Sequence, residues 1–394
     1  MIVNLPLHRL PAQPLTVAAS HFSLELLGNI LPLVYPLLIA QRGFDYGQIG
    51  TIALIGGLCG SITQLFFGAL VDRWDARKQA ILSIAWMGVG MGIVGMVGSI
   101  GWLIVIVSLA KLASAAYHPA GAALTNFASS QSKGKSFSYF SVGGSLGSAL
   151  CPLLMGLALG HWGLPGTLVL LPTGLLLAAL LWSPLGRIPL TKVATREGKR
   201  GGKRGPLMAL LPIVFLVGTN SWTSGTLNTY LPEWFASQGN SLALASGAFS
   251  LMLIMTSIGN IAGGRIADRL GNEQVVITCM ILLPLFFWGL IHLTGLLQFV
   301  ALALIGITVG ATTPCYLVMA QDAWPDAIGL ASSLVMGVAW LPSSLGAWVV
   351  GLIADRSSLT FALSTLTFVP LLGVAVLLLG IWWNHHHPPD TSNF

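Results

Sequence analysis

The chain of 394 residues is 55% hydrophobic and only 8% charged, with 47 glycines and a mean hydropathy of +0.82, which excludes a soluble globular domain. Its net charge of +6 and isoelectric point near 9.3 are explained below by topology, so basicity implies no nucleic-acid partner. The composition is that of a polytopic all-α membrane protein, because only helices or closed barrels satisfy backbone groups in lipid.

In chain order, residues 1–15 lack the charged, apolar and small-residue sequence of a secretory signal, so the first span is expected to stay. Apolar runs of about 18 to 25 residues then mark spans near 16–40, 47–71, 79–98, 102–126, 137–160 and 165–184. A second set follows near 208–234, 242–267, 275–295, 298–320, 328–353 and 360–383. The predicted fold is therefore twelve transmembrane helices in two six-helix, pseudo-symmetric halves, 1–184 and 207–394, joined by a basic linker at 185–206.

The 18 Lys and Arg residues set the orientation. With the N-terminus cytoplasmic, Arg9, Arg73, Arg77, Lys78, Lys133, Lys135, Arg187, Lys192, Arg196, Lys199, Arg200, Lys203, Arg204, Arg265 and Arg269 fall inside. Only Arg42 and Arg356 fall outside, and Lys111 lies within a span. That asymmetry places both termini in the cytoplasm. The cations of the linker suit a solvated segment on anionic lipid.

One short pattern occurs after span 2 and again after span 8: Gly68-x-x-x-Asp72-Arg73, followed by Arg77, and Gly264-x-x-x-Asp268-Arg269. Glycine lets helices approach closely, and the Asp suits a neighbouring helix N-terminus. Topology alone explains the Arg but not the matched spacing. Asp72, Arg73, Asp268 and Arg269 are expected to latch one conformational state.

Lipid penalises an ionisable group at mid-span by about 2.5 to 3.5 kcal/mol, so such groups face cavities. Glu25 lies about ten residues into span 1 and Lys111 about nine into span 4. His21 precedes Glu25 by four and His118 follows Lys111 by seven, so each shares its neighbour's face. Asn220, Trp222, Asn228 and Tyr230 populate span 7, with Glu233 near its end, while Thr312, Thr313, Tyr316, Gln321 and Asp322 populate span 10. Interhelical hydrogen bonds that merely hold the bundle are the competing explanation.

Soluble catalysis has no footing: there is no phosphate-binding Gly-x-x-x-x-Gly-Lys-Ser/Thr loop and no triad order in an exposed loop. Cys59, Cys151, Cys279 and Cys315 lie within spans, without metal-ligand spacing, and suit packing. No cofactor or built metal site is expected, and His385-His386-His387 reads as a solvated tail or a weak adventitious metal site. Gly143, Gly147 and Gly156, with Pro152, read as a packing and kink motif.

Together, the doubled turn, the six-plus-six layout and the charged linker resemble the major facilitator superfamily over essentially the whole chain. Within it, Ser20-His21-Phe22-x-x-Glu25 leading to Leu31-Pro32-x-x-Tyr35-Pro36, His118-Pro119, and Val142 to Pro152 are similar to the fosmidomycin-resistance group of bacterial exporters. The Gly-rich stretch ending at Cys151-Pro152 also resembles the span 5 signature of drug/proton antiporters. Ala320-Gln321-Asp322-x-x-Pro325, Gly329 to Ser332 and Gly351-Leu352-Ile353-Ala354-Asp355 match the same group. The departures are Glu25 where the group usually has Asp, Ala120 in place of Glu, and Asn220 in place of a basic residue, which weakens any preference for phosphonate-like anions. Lys111 stands about where many exporters carry a coupling Arg.

The resemblance implies an inner-membrane secondary transporter that exports a small or amphipathic toxic compound in exchange for protons, and a monomer is expected. Glu25 is the expected proton carrier, Lys111 its partner, and His21 and His118 relays. Asn220, Trp222, Asn228, Tyr230, Tyr316 and Gln321 are the expected substrate-cavity residues. A proton- or sodium-coupled importer of an organic acid, with Lys111 and His118 on the carboxylate, is the second reading, and a transport-dead receptor or assembly protein the third.

Overall fold

The computed structural model describes residues 12–71, 73–129, 133–190, 207–324 and 328–386. Asp72, residues 1–11, linker residues 191–206, Pro325 and His387 lie outside the described residues. Among those described, helices and their connections account for the fold and no strand occurs.

The first sextet comprises α1 (Ala12–Gly28) with α2 (Leu31–Arg42), α3 (Tyr46–Val71), α4 (Ala76–Ile93), α5 (Ile100–Phe127), α6 (Lys133–Trp162) and α7 (Leu170–Gly186). The second comprises α8 (Leu207–Ser237), α9 (Leu242–Leu270), α10 (Asn272–His292), α11 (Leu296–Ala323), α12 (Ile328–Arg356), and α13 (Leu359–Ser364) with α14 (Val369–His386). Ten described segments are long and apolar enough to cross a membrane, and α8 and α12, of 31 and 29 residues, complete the twelve.

The expected first span, 16–40, is broken in two at Asn29-Ile30. Pro32 near the start of α2 brings no N–H for the preceding turn. Asn29 eases the break: its backbone N–H and its side-chain amide both donate to the Glu25 carbonyl, at 3.3 and 3.1 Å.

Packing follows the same plan twice. In the first sextet α1 packs on α6, α3 on α5, and α4 on α5 and α7; in the second α8 packs on α12, α9 on α11, and α10 on α11 and α14. The sextets meet through α3 with α12 and α6 with α9, which are equivalent pairs. Apolar burial does little to drive such association in lipid, so small residues decide it. A Cβ on Gly143 or Gly147 would overlap the α1 backbone at Ala18 and Phe22, as the packing motif predicts.

One end of the bundle is closed by contacts between the sextets. Asp45 and Gln48 form a reciprocal capping box at the start of α3, with Gln48 N–H donating to Asp45 Oδ1 at 2.6 Å and Asp45 N–H to Gln48 Oε1 at 3.2 Å. The next two free donors are met from the other sextet: Asp355 Oδ1 and Oδ2 accept from the Tyr46 and Gly47 N–H groups, each at 2.8 Å. A carboxylate at a helix N-terminus is favoured by the helix dipole. The close approach requires Gly50, where a Cβ would stand 2.7 Å from Trp348 Cα. Tyr230, fully buried, places its hydroxyl 2.9 Å from both the Tyr46 and Ala347 carbonyls and donates between them.

Candidate functional site

The site is built on three helices of the first sextet. His21 and Glu25 stand one turn apart on α1, and His118 reaches them from α5. Glu25 Oε1 lies 3.6 Å from His21 Nε2 and 3.6 Å from His118 Nε2. Its other oxygen, Oε2, accepts from Asn29 Nδ2 at 2.8 Å and Ser148 Oγ of α6 at 3.1 Å.

Both imidazoles are fixed from behind. His21 Nδ1 lies 2.8 Å from the Phe140 carbonyl and His118 Nδ1 2.8 Å from the Ser114 carbonyl. A carbonyl only accepts, so each Nδ1 carries the proton and each Nε2 is turned toward Glu25. The His21 ring also stacks on Phe140, with centroids 4.0 Å apart and planes at 14°. Gly144 makes room for it, since a Cβ there would overlap the imidazole. Tyr117 lies behind, its hydroxyl 2.6 Å from Ser20 Oγ. The side chains of His21, Glu25 and His118 are 12%, 21% and 31% exposed, so the cluster is enclosed but reachable.

Three of the four expected coupling residues therefore meet, and Lys111 does not join them. It packs on α3, where a Cβ on Gly60 would stand 3.5 Å from Lys111 Cβ, and it makes no hydrogen bond or ion pair with a described residue. Glu25 acts on Lys111 through its charge without an ion pair between them, and its nearest nitrogen neighbours of the expected set are the two histidines. Seven residues of helix separate Lys111 from His118 by about 10.5 Å, so only one of them stands level with Glu25. Sequence reasoning missed Asn29 and Ser148 as partners of Glu25. The i,i+4 spacing from Glu25 to Asn29 was the available signal.

Of the expected cavity residues, Trp222, Asn228 and Gln321 are partly exposed. Tyr230, Tyr316 and Asn220 are buried and present no surface to a ligand in this state. Tyr230 has become a tie between the sextets. Asn220 Oδ1 and Tyr316 Oη are buried without a partner among the described residues.

At the turn after α3, Arg77 engages its own sextet: Nη2 pairs with Asp75 Oδ2 at 2.7 Å, and Nη1 reaches the Gly186 and Ile188 carbonyls at 3.1 and 3.3 Å. The same guanidinium holds the Asp75 carboxyl below its ordinary value, partly offset by desolvation. Arg73, Asp268 and Arg269 are exposed, and among the described residues Gly68 has no neighbour within 4 Å of a notional Cβ and Gly264 meets only Pro314 at 4.0 Å. The spacing occurs a third time, in Gly351-x-x-x-Asp355-Arg356, within the stretch that matches the family pattern. It is the copy whose carboxylate caps a helix of the opposite sextet.

A pseudo-symmetric bundle of twelve membrane helices, with an ionisable cluster near its middle, defines a secondary transporter. The Major Facilitator Superfamily model matches residues 17–347 and 210–394, and the chain belongs to that superfamily. It is 25% identical over 378 residues to the fosmidomycin resistance protein of Escherichia coli, covering 92% of this chain and 91% of that protein. It is 26% identical over 311 residues to the multidrug resistance protein MdtG of Salmonella paratyphi C, covering 72% and 74%. Among solved structures, it resembles a bacterial homologue of the human lysosomal transporter Spinster in an inward-facing, occupied conformation. There the TM-score is 0.73 at 13% identity, over 94% of this chain and 95% of that one.

Proposed function

We propose that the protein is a monomeric inner-membrane antiporter that exports a small or amphipathic toxic compound in exchange for protons. The observation that carries this reading is Glu25, a mid-membrane carboxylate with one oxygen held by neutral donors and the other facing two imidazole nitrogens at 3.6 Å. Such a group is costly in lipid unless it works. Glu25 carries the proton, and His21 and His118 pass it to and from the cavity. The resistance named for the two relatives supports export of a toxic compound.

The positive-inside rule makes the Arg73 and Arg269 end cytoplasmic, with both chain termini there. The Asp355 end is then external, and the structure is a state closed to the outside. The Asp355 cap and the Tyr230 tie hold that state, while the turns at Asp72-Arg73 and Asp268-Arg269 engage when the cytoplasmic end closes. Alternation follows from rocking of the two sextets.

Lys111, without a described ion-pair partner, favours a second reading: a coupled importer of an organic acid whose carboxylate it binds. Proteoliposomes loaded with a pH-sensitive dye separate the two. Export by antiport predicts proton movement opposite to an added compound, and import by symport predicts movement with an added organic acid. No proton movement with any compound that the protein transports overturns the antiporter, and organic-acid uptake that then follows a sodium gradient leaves the importer standing.

A further inference from the structure

We propose that His21, Glu25 and His118 form a binding site for a divalent transition-metal cation of the zinc type. This rests on the geometry of three atoms and holds independently of the transport reading.

With both Nδ1 positions committed to backbone carbonyls, each imidazole turns Nε2 to the same carboxylate oxygen at 3.6 Å, and the neutral ring offers a lone pair there. That distance is beyond a hydrogen bond. Three electron-rich atoms thus converge on a space in which a cation belongs.

The size fits. One ligating atom from each residue lies within 4.8 Å of the others, the one such trio of residues among those described. A triangle with sides of 3.6, 3.6 and at most 4.8 Å has a point no more than about 2.4 Å from all three corners, against about 2.0 to 2.2 Å for zinc bonded to imidazole or carboxylate. A few tenths of an ångström of closure completes the bonds.

The donor set and its supports agree. Two imidazoles and a carboxylate suit zinc, cobalt, nickel or iron rather than magnesium or calcium. Each histidine is braced by a carbonyl through its other nitrogen, and the second carboxylate oxygen is held by Asn29 and Ser148. This is the outer arrangement that metal-ligating histidines use. Three protein ligands leave an open position, and the partial exposure of His118, 31%, leaves the cluster reachable for a further ligand. Neutral imidazoles and one carboxylate leave a divalent ion with a net charge of +1, which an anionic oxygen entering from the cavity would neutralise.

The test is Co2+ and Zn2+ binding to the full-length protein in detergent, with His385, His386 and His387 replaced by Ala to remove the tail. The expected result is one equivalent of Co2+ with an absorption spectrum of nitrogen and oxygen ligation, displaced by Zn2+. His118→Ala and Glu25→Gln should each weaken binding by at least about tenfold. A Zn2+-dependent rise in melting temperature of the tail-substituted protein reads the same site without altering it. Absence of stoichiometric Co2+ binding there, or an affinity unmoved by His118→Ala, overturns the site. Proton-driven flux without metal binding defeats this inference and leaves the transport reading intact. Metal binding without proton-driven flux does the reverse.

Discussion

Replacing Asp355 with Ala removes two charge-assisted hydrogen bonds from the N-terminus of α3 to the far sextet. A hydrogen bond to a charged group contributes about 1.5 to 3 kcal/mol, and loss of an N-terminal cap costs about 0.5 to 2 kcal/mol. Asp355 is exposed to solvent, so the capping figure applies rather than the sum of two buried bonds, and the pair together contributes about 1 to 2 kcal/mol. That corresponds to a five- to thirtyfold shift in a two-state ratio. The shift is specific to one state, because the bonds exist only while α3 and α12 are together. The assay is the distance distribution between nitroxide labels at Gly101 and Gln238, exposed positions at this end of the two sextets. Cys59, Cys151, Cys279 and Cys315 are replaced beforehand. The ratio of long to short distances should rise about five- to thirtyfold in Asp355→Ala and by less in Asp355→Asn, whose amide oxygen still accepts. An unchanged distribution in a correctly folded Asp355→Ala protein refutes the latch.

Tyr230→Phe should move the same distances in the same direction, since a shared donor to two carbonyls is lost at a cost of about 1 to 3 kcal/mol; the labels used for Asp355 report it. Gly144→Ala should push the His21 ring off Phe140, because the new methyl occupies the place of the imidazole. Overpacking of this kind costs about 1 to 3 kcal/mol, and gradient-driven flux should fall while the protein still inserts, as read by transport in matched membranes. Asp75→Ala should lower thermal stability by about 0.5 to 2 kcal/mol through the lost cap of α4. Because Arg77 lowers the folded Asp75 value from 3.8, the wild-type advantage over Asp75→Ala is complete above that pH and is lost as the pH falls through the folded value. Melting temperatures at neutral and acid pH check this.

Much of the fold was legible because lipid leaves so few solutions: apolar runs of span length and lopsided Lys/Arg placement are physical necessities of a helical bundle. Glu25 and His21 were legible for the same reason, being ionisable groups where charge is expensive. What escaped was the third dimension. The sequence paired Glu25 with Lys111 because both sit near mid-span, yet depth along a helix says nothing about which face turns inward, and His118 takes that place. Tyr230 looked like a cavity aromatic, but its hydroxyl found two backbone carbonyls from helices far away in the chain. Asp355 carried the same spacing as the two turns singled out, and only the meeting of α3 with α12 distinguishes its role. The break at Asn29-Ile30 was hidden inside one continuous apolar run.

The central claim is that protons travel through Glu25, and the direct measurement is compound transport by Glu25→Gln in vesicles under an imposed pH gradient, beside compound binding by the same protein. Gln keeps the length of Glu and can still meet Asn29 and Ser148, but it cannot exchange a proton. The account predicts loss of gradient-driven transport with binding retained, and exchange of compound across the membrane still possible. Gradient-driven transport at the wild-type rate in Glu25→Gln would contradict it and place the proton path elsewhere.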